Sequence, residues 1–221
     1  MCLLRSLVVA LAMIVLSVPV RGRGDDGLEP HMTLSSVTLE RTTLSEAQRL
    51  LGPAEVRHNG GDAAASASGA CYVGADGTTL ALISNIEMGG GTTITDVQLV
   101  ARGAEPDFSS DDRYVVPPEH RPRCAQLGSL SEATATRGGL RLGMTKDDVV
   151  RLLGPPAESE DHRLRFASEV KVPMTPEQKE AFEAHNGPGG NDLLLFRART
   201  IVIEFVGEKA AVIRLSQVTS S

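Results

Sequence analysis

"LRLGMTKDDVVRLLGPPAE" (Leu140–Glu158) restates, with small changes, a phrase met earlier in the same chain, "TTLSEAQRLLGPAE" (Thr42–Glu55). Aligned on Gly52-Pro53 and Gly154-Pro155, the copies stand 102 positions apart (154 − 52), and Arg49-Leu50-Leu51 falls on Arg151-Leu152-Leu153. Each copy spells a short helix with both ends specified. Thr43 and Thr145 stand where a hydroxyl accepts from the free amides of a first turn. Glu46 and Asp148, three residues on, occupy the return position of a capping box and suit the helix dipole. Gly52 and Gly154 can take the left-handed conformation that closes a helix, and the following Pro forbids its continuation. Between these signals Leu44, Ala47, Leu50 and Leu51 share one face, as do Val149, Leu152 and Leu153, with Val150 at its edge. Helices this short do not hold alone in water, so each must dock on something.

Each helix is succeeded by residues with strand character. After the first come "ACYVGADGTTLALIS" and "TTITDVQLVA". Asp76-Gly77 is a hairpin signal between Cys71–Val73 and Thr78–Ile83, with Leu80 and Leu82 alternating onto one face. Ile94 is out of phase with Val97 and Leu99, which predicts a bulge. After the second helix come "RLRFASEVKV" and "RTIVIEFVGEKAAVIRLSQV", where Ile201, Ile203 and Phe205 alternate inward, as do Ala211, Ile213 and Leu215, around a turn at Gly207–Lys209. The small-residue stretch Asn59–Ala70 reads as a disordered loop. The predicted fold is therefore α+β: two tandem modules, each a short helix packed on a three- to four-stranded antiparallel sheet. The divisions are residues 1–22, 31–104, a Pro- and charge-rich linker at 105–137, and 138–219. The last carries a helical insertion near 175–186, where Thr175, Pro176 and Gln178 supply a cap, a first helical residue and a capping box. That insertion is either a partner surface or a surface decoration.

Residues 1–22 have the form of a secretory signal peptide. Arg5 is followed by the apolar run Leu7–Val18, shorter than the roughly 20 residues a spanning helix needs. Cleavage is expected near Gly22; the alternative is an uncleaved anchor. Cys2 precedes the apolar run, so it is not the lipidated cysteine of a bacterial lipoprotein. The mature chain is expected to be periplasmic or secreted and not membrane-spanning. That leaves Cys71 and Cys124, which in an oxidising compartment most simply form one disulfide; two unpaired thiols are the alternative.

The 221 residues carry a formal net charge of −6, which argues against nucleic acid as a partner. Aromatic residues make up only 3% and there is no Trp, so the chain is short of the side chains that usually anchor an interface.

"GMTKDDVVRLLGPP" resembles the helix motif of small envelope domains of the SmpA/OmlA type, outer-membrane-assembly lipoproteins that share a fold with the β-lactamase inhibitor protein family. The resemblance covers Leu140–Glu158 closely and Thr42–Glu55 more loosely, and extends to the order helix, strand, strand, strand. It implies small α+β modules that act by binding a protein partner, in the inhibitor as a tandem pair. The lipidation cysteine is absent, exposed aromatics are few, and the cysteines do not suffice for one bridge in each module. The resemblance therefore implies a fold and a binding habit but no contact residue.

A search for chemistry yields little. No G-x-S-x-G, H-E-x-x-H or P-loop pattern occurs. Met88-Gly89-Gly90-Gly91 is followed by strand-like residues rather than the helix start a phosphate cradle needs. Asp111-Asp112 and Glu158–Asp161 lack the spacing of a cation loop. His31, His58, His120, His162 and His185 are scattered singly, so no metal or other cofactor is expected. Nothing in the sequence joins Ser66 or Ser68 to His58 as part of a triad. The expected function is a non-catalytic interaction module of the bacterial envelope, binding an unknown protein through its sheet surface. The alternatives are an enzyme with a site assembled on the sheet, or a hydrolase inhibitor.

Overall fold

The structure, a computed structural model, describes residues 27–59, 67–85, 93–108, 116–187 and 194–220. The apolar run Leu7–Val18, the cleavage position near Gly22, Met88–Gly91, Asp111-Asp112 and Ser66 lie outside these residues. No helix among them is long and apolar enough to cross a membrane.

Both repeated phrases form the helices their caps require. In α1 (Leu44–Leu51) the Thr43 hydroxyl accepts from the Glu46 amide at 3.1 Å, and the Glu46 carboxylate accepts from the Thr43 amide at 2.9 Å. In α2 (Lys146–Leu153) Thr145 and Asp148 make the same pair at 3.2 and 3.5 Å, the return bond being longer because Asp is one methylene shorter than Glu. Each box contributes about 1 kcal/mol. Gly52 and Gly154 close the helices at φ 105° and 86°, where a Cβ would be strained. Their apolar faces are narrower than expected. Leu44, Ala47 and Val149 are buried and Leu51 and Leu153 partly so, but Leu50 and Leu152 are 57% and 37% exposed. Neighbouring helical residues point about 100° apart, so only one of each Leu-Leu pair can face the sheet.

The strands do not stay in two separate sheets. Among the described residues, all of them apart from the small pair β1 (Thr33–Leu34) and β2 (Val37–Thr38) join one nine-stranded sheet. It contains β3 (Val56–Asn59), β4 (Ala67–Val73), β5 (Thr79–Asn85), β6 (Asp96–Val100) and β7 (Ala125–Gln126), then β8 (Glu158–Glu160), β9 (Arg163–Pro173), β10 (Leu194–Val206) and β11 (Lys209–Ser220). The order is β3-β4-β5-β6-β11-β10-β9-β8, antiparallel throughout, with β7 added parallel to β4. The seam is the β6–β11 pairing, from Asp96 opposite Ser216 to Val100 opposite Val212.

Register across the seam makes one core. Tyr72, Leu80, Leu99, Ile213, Ile203 and Leu164 form a rung across six strands, and Ala70, Leu82, Val97, Leu215, Ile201 and Phe166 form the next. Both rungs belong to a single buried cluster together with Leu44, Ala47 and Val149 of the helices and Leu28, Met32, Leu34, Val37 and Leu39 of the N-terminal segment. Burying a Leu or Ile side chain stabilises by about 1.5–3 kcal/mol, so the seam is held chiefly by these apolar contacts.

Three local expectations are corrected. Ala67–Ala70 is not loop but the start of β4, because pairing with β3 and β5 compensates for the weak strand preference of Ala, Ser and Gly. Ile94 is out of phase because it precedes β6: its amide donates to the Thr42 carbonyl and its carbonyl accepts from the Glu40 amide, outside the ladder. In the last hairpin Phe205 pairs with Ala210, so Ala211 is the extra residue of a bulge and Ala210 takes the core position expected for Ala211. The insertion forms α3 (Pro176–Asn186), with Thr175 and Gln178 closing its capping box.

Candidate binding surfaces

The face of the sheet opposite the helices is covered over one half only. There, residues from the stretch read as a linker lie across β4, β5 and β6. Phe108 and Val116 join Ala67, Cys71, Ala81 and Ile83 in a second buried cluster. Gly69 permits this, since a Cβ at that position would stand 2.9 Å from the Phe108 ring. The buried Gln98 side chain accepts from the Asp107 amide at 2.8 Å and donates to the Asp107 carbonyl. The Asp107 carboxylate in turn accepts from Arg214 of β11 at 3.1 Å. Cys71 and Cys124 are joined by a disulfide. It ties the cover to β4 beside β7, where the Leu127 amide donates to the Val73 carbonyl at 2.9 Å.

Over the far end of β9, β10 and β11, beyond the buried Val202 and Val212, the same face is open. Ala167, Glu169, Lys171, Phe196 and Ala198 are exposed, while Thr200, Ser216 and Val218 are half-buried. Cross-strand pairing sets these out as ranks: Ala167–Thr200–Ser216, Glu169–Ala198–Val218 and Lys171–Phe196–Ser220. The Lys171 ammonium sits 5.5 Å from the centroid of the Phe196 ring. The edge is open as well. β8 lies opposite Arg163–Arg165 only, so among the described residues Phe166–Pro173 has no strand on its outer side. An edge of that length is a template for an added strand.

On the helix-bearing face the two apolar rungs give way, toward the far end of β10 and β11, to Arg199 opposite Gln217 and Arg197 opposite Thr219. Glu40 stands over them from the loop after β2, held in the left-handed region at φ 56°. Its carboxylate accepts from the Thr219 amide at 2.5 Å, the Thr219 hydroxyl at 2.7 Å and the Gln217 amide group at 2.9 Å. Arg197 Nε donates to the Thr219 hydroxyl at 3.1 Å, and Arg199 Nε donates to the Gln217 side-chain carbonyl at 2.7 Å. One carboxylate thus serves two guanidinium groups through a hydroxyl and an amide. These residues floor a half-open cavity of about 890 Å³, roofed by α3 and walled by the segment around Met32 and Leu39.

The structure separates the residues singled out from the sequence. His31 is buried, its Nδ1 2.9 Å from the Thr136 hydroxyl, and lost hydration lowers its pKa. His58 and Ser68 are brought together as a cross-strand pair, Nδ1 to Oγ 3.2 Å, at an exposed position. No described carboxylate is hydrogen-bonded to that imidazole to orient it. In the acidic run Glu158–Asp161, Glu158 pairs with Arg165 at 2.7 Å. The backbone carbonyls of Glu160 and Asp161 accept from the Lys146 ammonium. Among the described residues no three His, Cys, Asp or Glu side chains gather as metal ligands. Asp96, beside the seam, accepts from the Thr95 hydroxyl at 2.7 Å, but loss of hydration outweighs that bond and raises its pKa. Glu46 and Asp148 are lowered by the hydrogen bonds of their caps. Glu40, Arg197, Arg199 and Gln217 had no place in the motif search. The sequence signal for them is phase: in "LLLFRARTIVIEF" the two arginines fall on the same alternation as Ile201 and Ile203.

No known protein family, no curated protein and no solved structure matches this chain.

Proposed function

We propose that the mature chain is a non-catalytic protein-binding module of the bacterial envelope or extracellular space, built by duplication of a helix-plus-meander unit. On this reading it acts after signal-peptide cleavage, in the manner of SmpA/OmlA-type domains. The two copies are fused tail to tail through β6 and β11, and each keeps its own capped helix over the common core. The observation that supports this most is the contrast between the two halves of the outer face. The cover that seals β4–β6 reaches β11 only at Arg214 and leaves the far end of β9–β11 uncovered, where an apolar-to-polar surface adjoins an open strand edge. A partner with an extended segment would extend the sheet beside Phe166–Pro173, its side chains meeting Phe196, Ala198 and Val218. The disulfide supports an oxidising compartment.

The test is photo-crosslinking in the exported protein. A photoreactive residue at Ala198 is expected to give a discrete protein adduct that Phe196→Glu abolishes, whereas one at Glu208 in the β10–β11 turn gives none. Absence of any adduct at 198, or equal labelling at both positions, would overturn the proposal.

One observation favours a second reading, a serine-directed enzyme: the proximity of His58 and Ser68. Fluorophosphonate labelling of Ser68 that disappears in His58→Ala would support it; an unlabelled Ser68 would eliminate it.

A further inference from the structure

The bare edge of β9 carries a backbone pattern that can be read residue by residue. In an antiparallel pair alternate residues turn their amide and carbonyl toward the neighbouring strand. The Phe205 amide donates to the His162 carbonyl at 2.8 Å, and these two residues continue the β9–β10 register without a break from Arg163 opposite Glu204. The even-numbered positions of β9 therefore bond β10, and the odd-numbered ones, Arg165, Ala167, Glu169 and Lys171, turn theirs outward. Arg165 agrees: its carbonyl accepts from the Ala157 amide at 2.8 Å on the outer side. β8 reaches no farther than Glu158 opposite Arg165. At the other end the chain leaves β9 after Pro173 and enters α3, which roofs the cavity on the helix-bearing face.

A second β9 fits between those limits. Two antiparallel copies related by a two-fold axis perpendicular to the sheet keep their side chains on matching faces. With the axis at Val170, Glu169 of each copy stands opposite Lys171 of the other, and Ala167 opposite Pro173. All of these are outward-turned positions. Glu169 and Lys171 exchange amide and carbonyl, and the Ala167 amide meets Pro173, which has a carbonyl to accept it and no amide to leave unpaired. Glu169 and Lys171 are exposed on the open face. Opposite charges on facing residues stabilise a strand pair and like charges destabilise it. Moving the axis to Glu169 sets two carboxylates against each other, and moving it to Lys171 does the same with two ammonium groups. Charge thus selects the register that also lies at the middle of the bare edge.

We infer that β9 pairs edge to edge with β9 of a second copy of this chain, centred on Val170, which joins two nine-stranded sheets into one and sets the two Phe196 surfaces side by side. The pairing rests on the reading of this edge as the partner site and names the partner.

The inference is tested by sedimentation equilibrium on the exported, disulfide-bonded protein over a concentration series. A reversible dimer is expected. Glu169→Lys and Lys171→Glu should each weaken it roughly tenfold or more, because each turns two attractive pairs into repulsive ones. The exchange Glu169→Lys/Lys171→Glu should restore it. Both side chains are exposed, so these variants leave the core untouched. Cysteine crosslinking reads the register: Val170→Cys faces itself across the axis at a close, non-hydrogen-bonded pair and should form an interchain disulfide, whereas Val172→Cys faces Ser168 and should not. A monomer at every concentration overturns the inference. So does a dimer indifferent to the single charge reversals, one not restored by the exchange, or one in which Val170→Cys crosslinks no better than Val172→Cys. A monomer whose Ala198 photoadduct contains a different protein overturns the second copy alone and leaves the broader binding function standing; neither dimer nor adduct overturns both.

Discussion

Reducing the Cys71–Cys124 bond should cost the fold a large fraction of its stability, and the amount follows from chain length. The bridge spans 53 positions and closes a loop that contains β5, β6 and the cover over them. In the chain-entropy model a loop of that size restricts the unfolded chain by about 14 cal/mol/K, or about 4 kcal/mol at 25 °C. With a urea dependence of about 2 kcal/mol/M, the midpoint should fall by about 2 M. The measurement is equilibrium urea unfolding of oxidised and reduced wild-type protein followed by far-ultraviolet circular dichroism. Comparing the two redox states removes no side chain, so the difference reports the bond alone. Cys71→Ala/Cys124→Ala should lose slightly more, because Cys71 is fully buried against Ala81 and Ile83. Hydrogen exchange localises the effect. The Leu127 amide, bonded to Val73 next to the bridge, should lose protection on reduction well before the amides of β10. A loss under about 1 kcal/mol, or uniform loss of protection across the sheet, would refute the reasoning. The cover would then be held by Phe108 and Gln98 without the bridge.

Three further perturbations have worked signs. Gly74→Ala places a Cβ 2.2 Å from the Leu130 carbonyl oxygen, backbone that can yield only by moving the segment after β7; a loss of about 1–3 kcal/mol in urea unfolding is expected, and a neutral result would contradict the close approach. Asp96 has a folded pKa above its ordinary 3.8, so its contribution is fully present below that value and is lost as pH rises through the folded pKa. Asp96→Asn should therefore melt higher than wild type at pH 7, with the advantage shrinking toward pH 3; a pH-independent difference would reject the cause assigned. His31 is lowered from 6.5 by burial, so the unfolded chain takes up the proton first and stability is lost as pH falls below 6.5. In His31→Gln that acid-side slope should flatten in thermal melts between pH 7 and pH 5, and parallel wild-type and variant curves would disprove it.

Much of this architecture is legible in the sequence because its signals are local. A capping box, a Gly-Pro stop and an Asp-Gly turn are each decided by neighbours within four residues, and α1, α2, α3 and the β4–β5 hairpin all form where those signals stand. The disulfide was legible because only two cysteines come after the apolar leader-like run. The seam was not legible. Nothing in "TDVQLV" specifies that its free side meets "AVIRLS" more than a hundred residues later; only the complementary burial of Val97 and Leu99 against Leu215 and Ile213 decides it. The stretch around Phe108 and Val116 was equally opaque. Its composition is that of a solvated connection, and its two apolar residues acquire meaning only from Gly69 and Gln98 beneath them. Glu40 and the arginine pair fall in the same class, since their partnership is between segments distant in the chain.

The position of β11 has a consequence for how the molecule can come into being. It is the latest of the strands in the sequence, yet it lies in the middle of the sheet, between β6 and β10. Until it arrives, β6 and β10 each keep an edge of unpaired backbone groups exposed to whatever else is nearby. The seam itself closes only once Val212–Ser216 has been made, however early the β3–β6 pairings form.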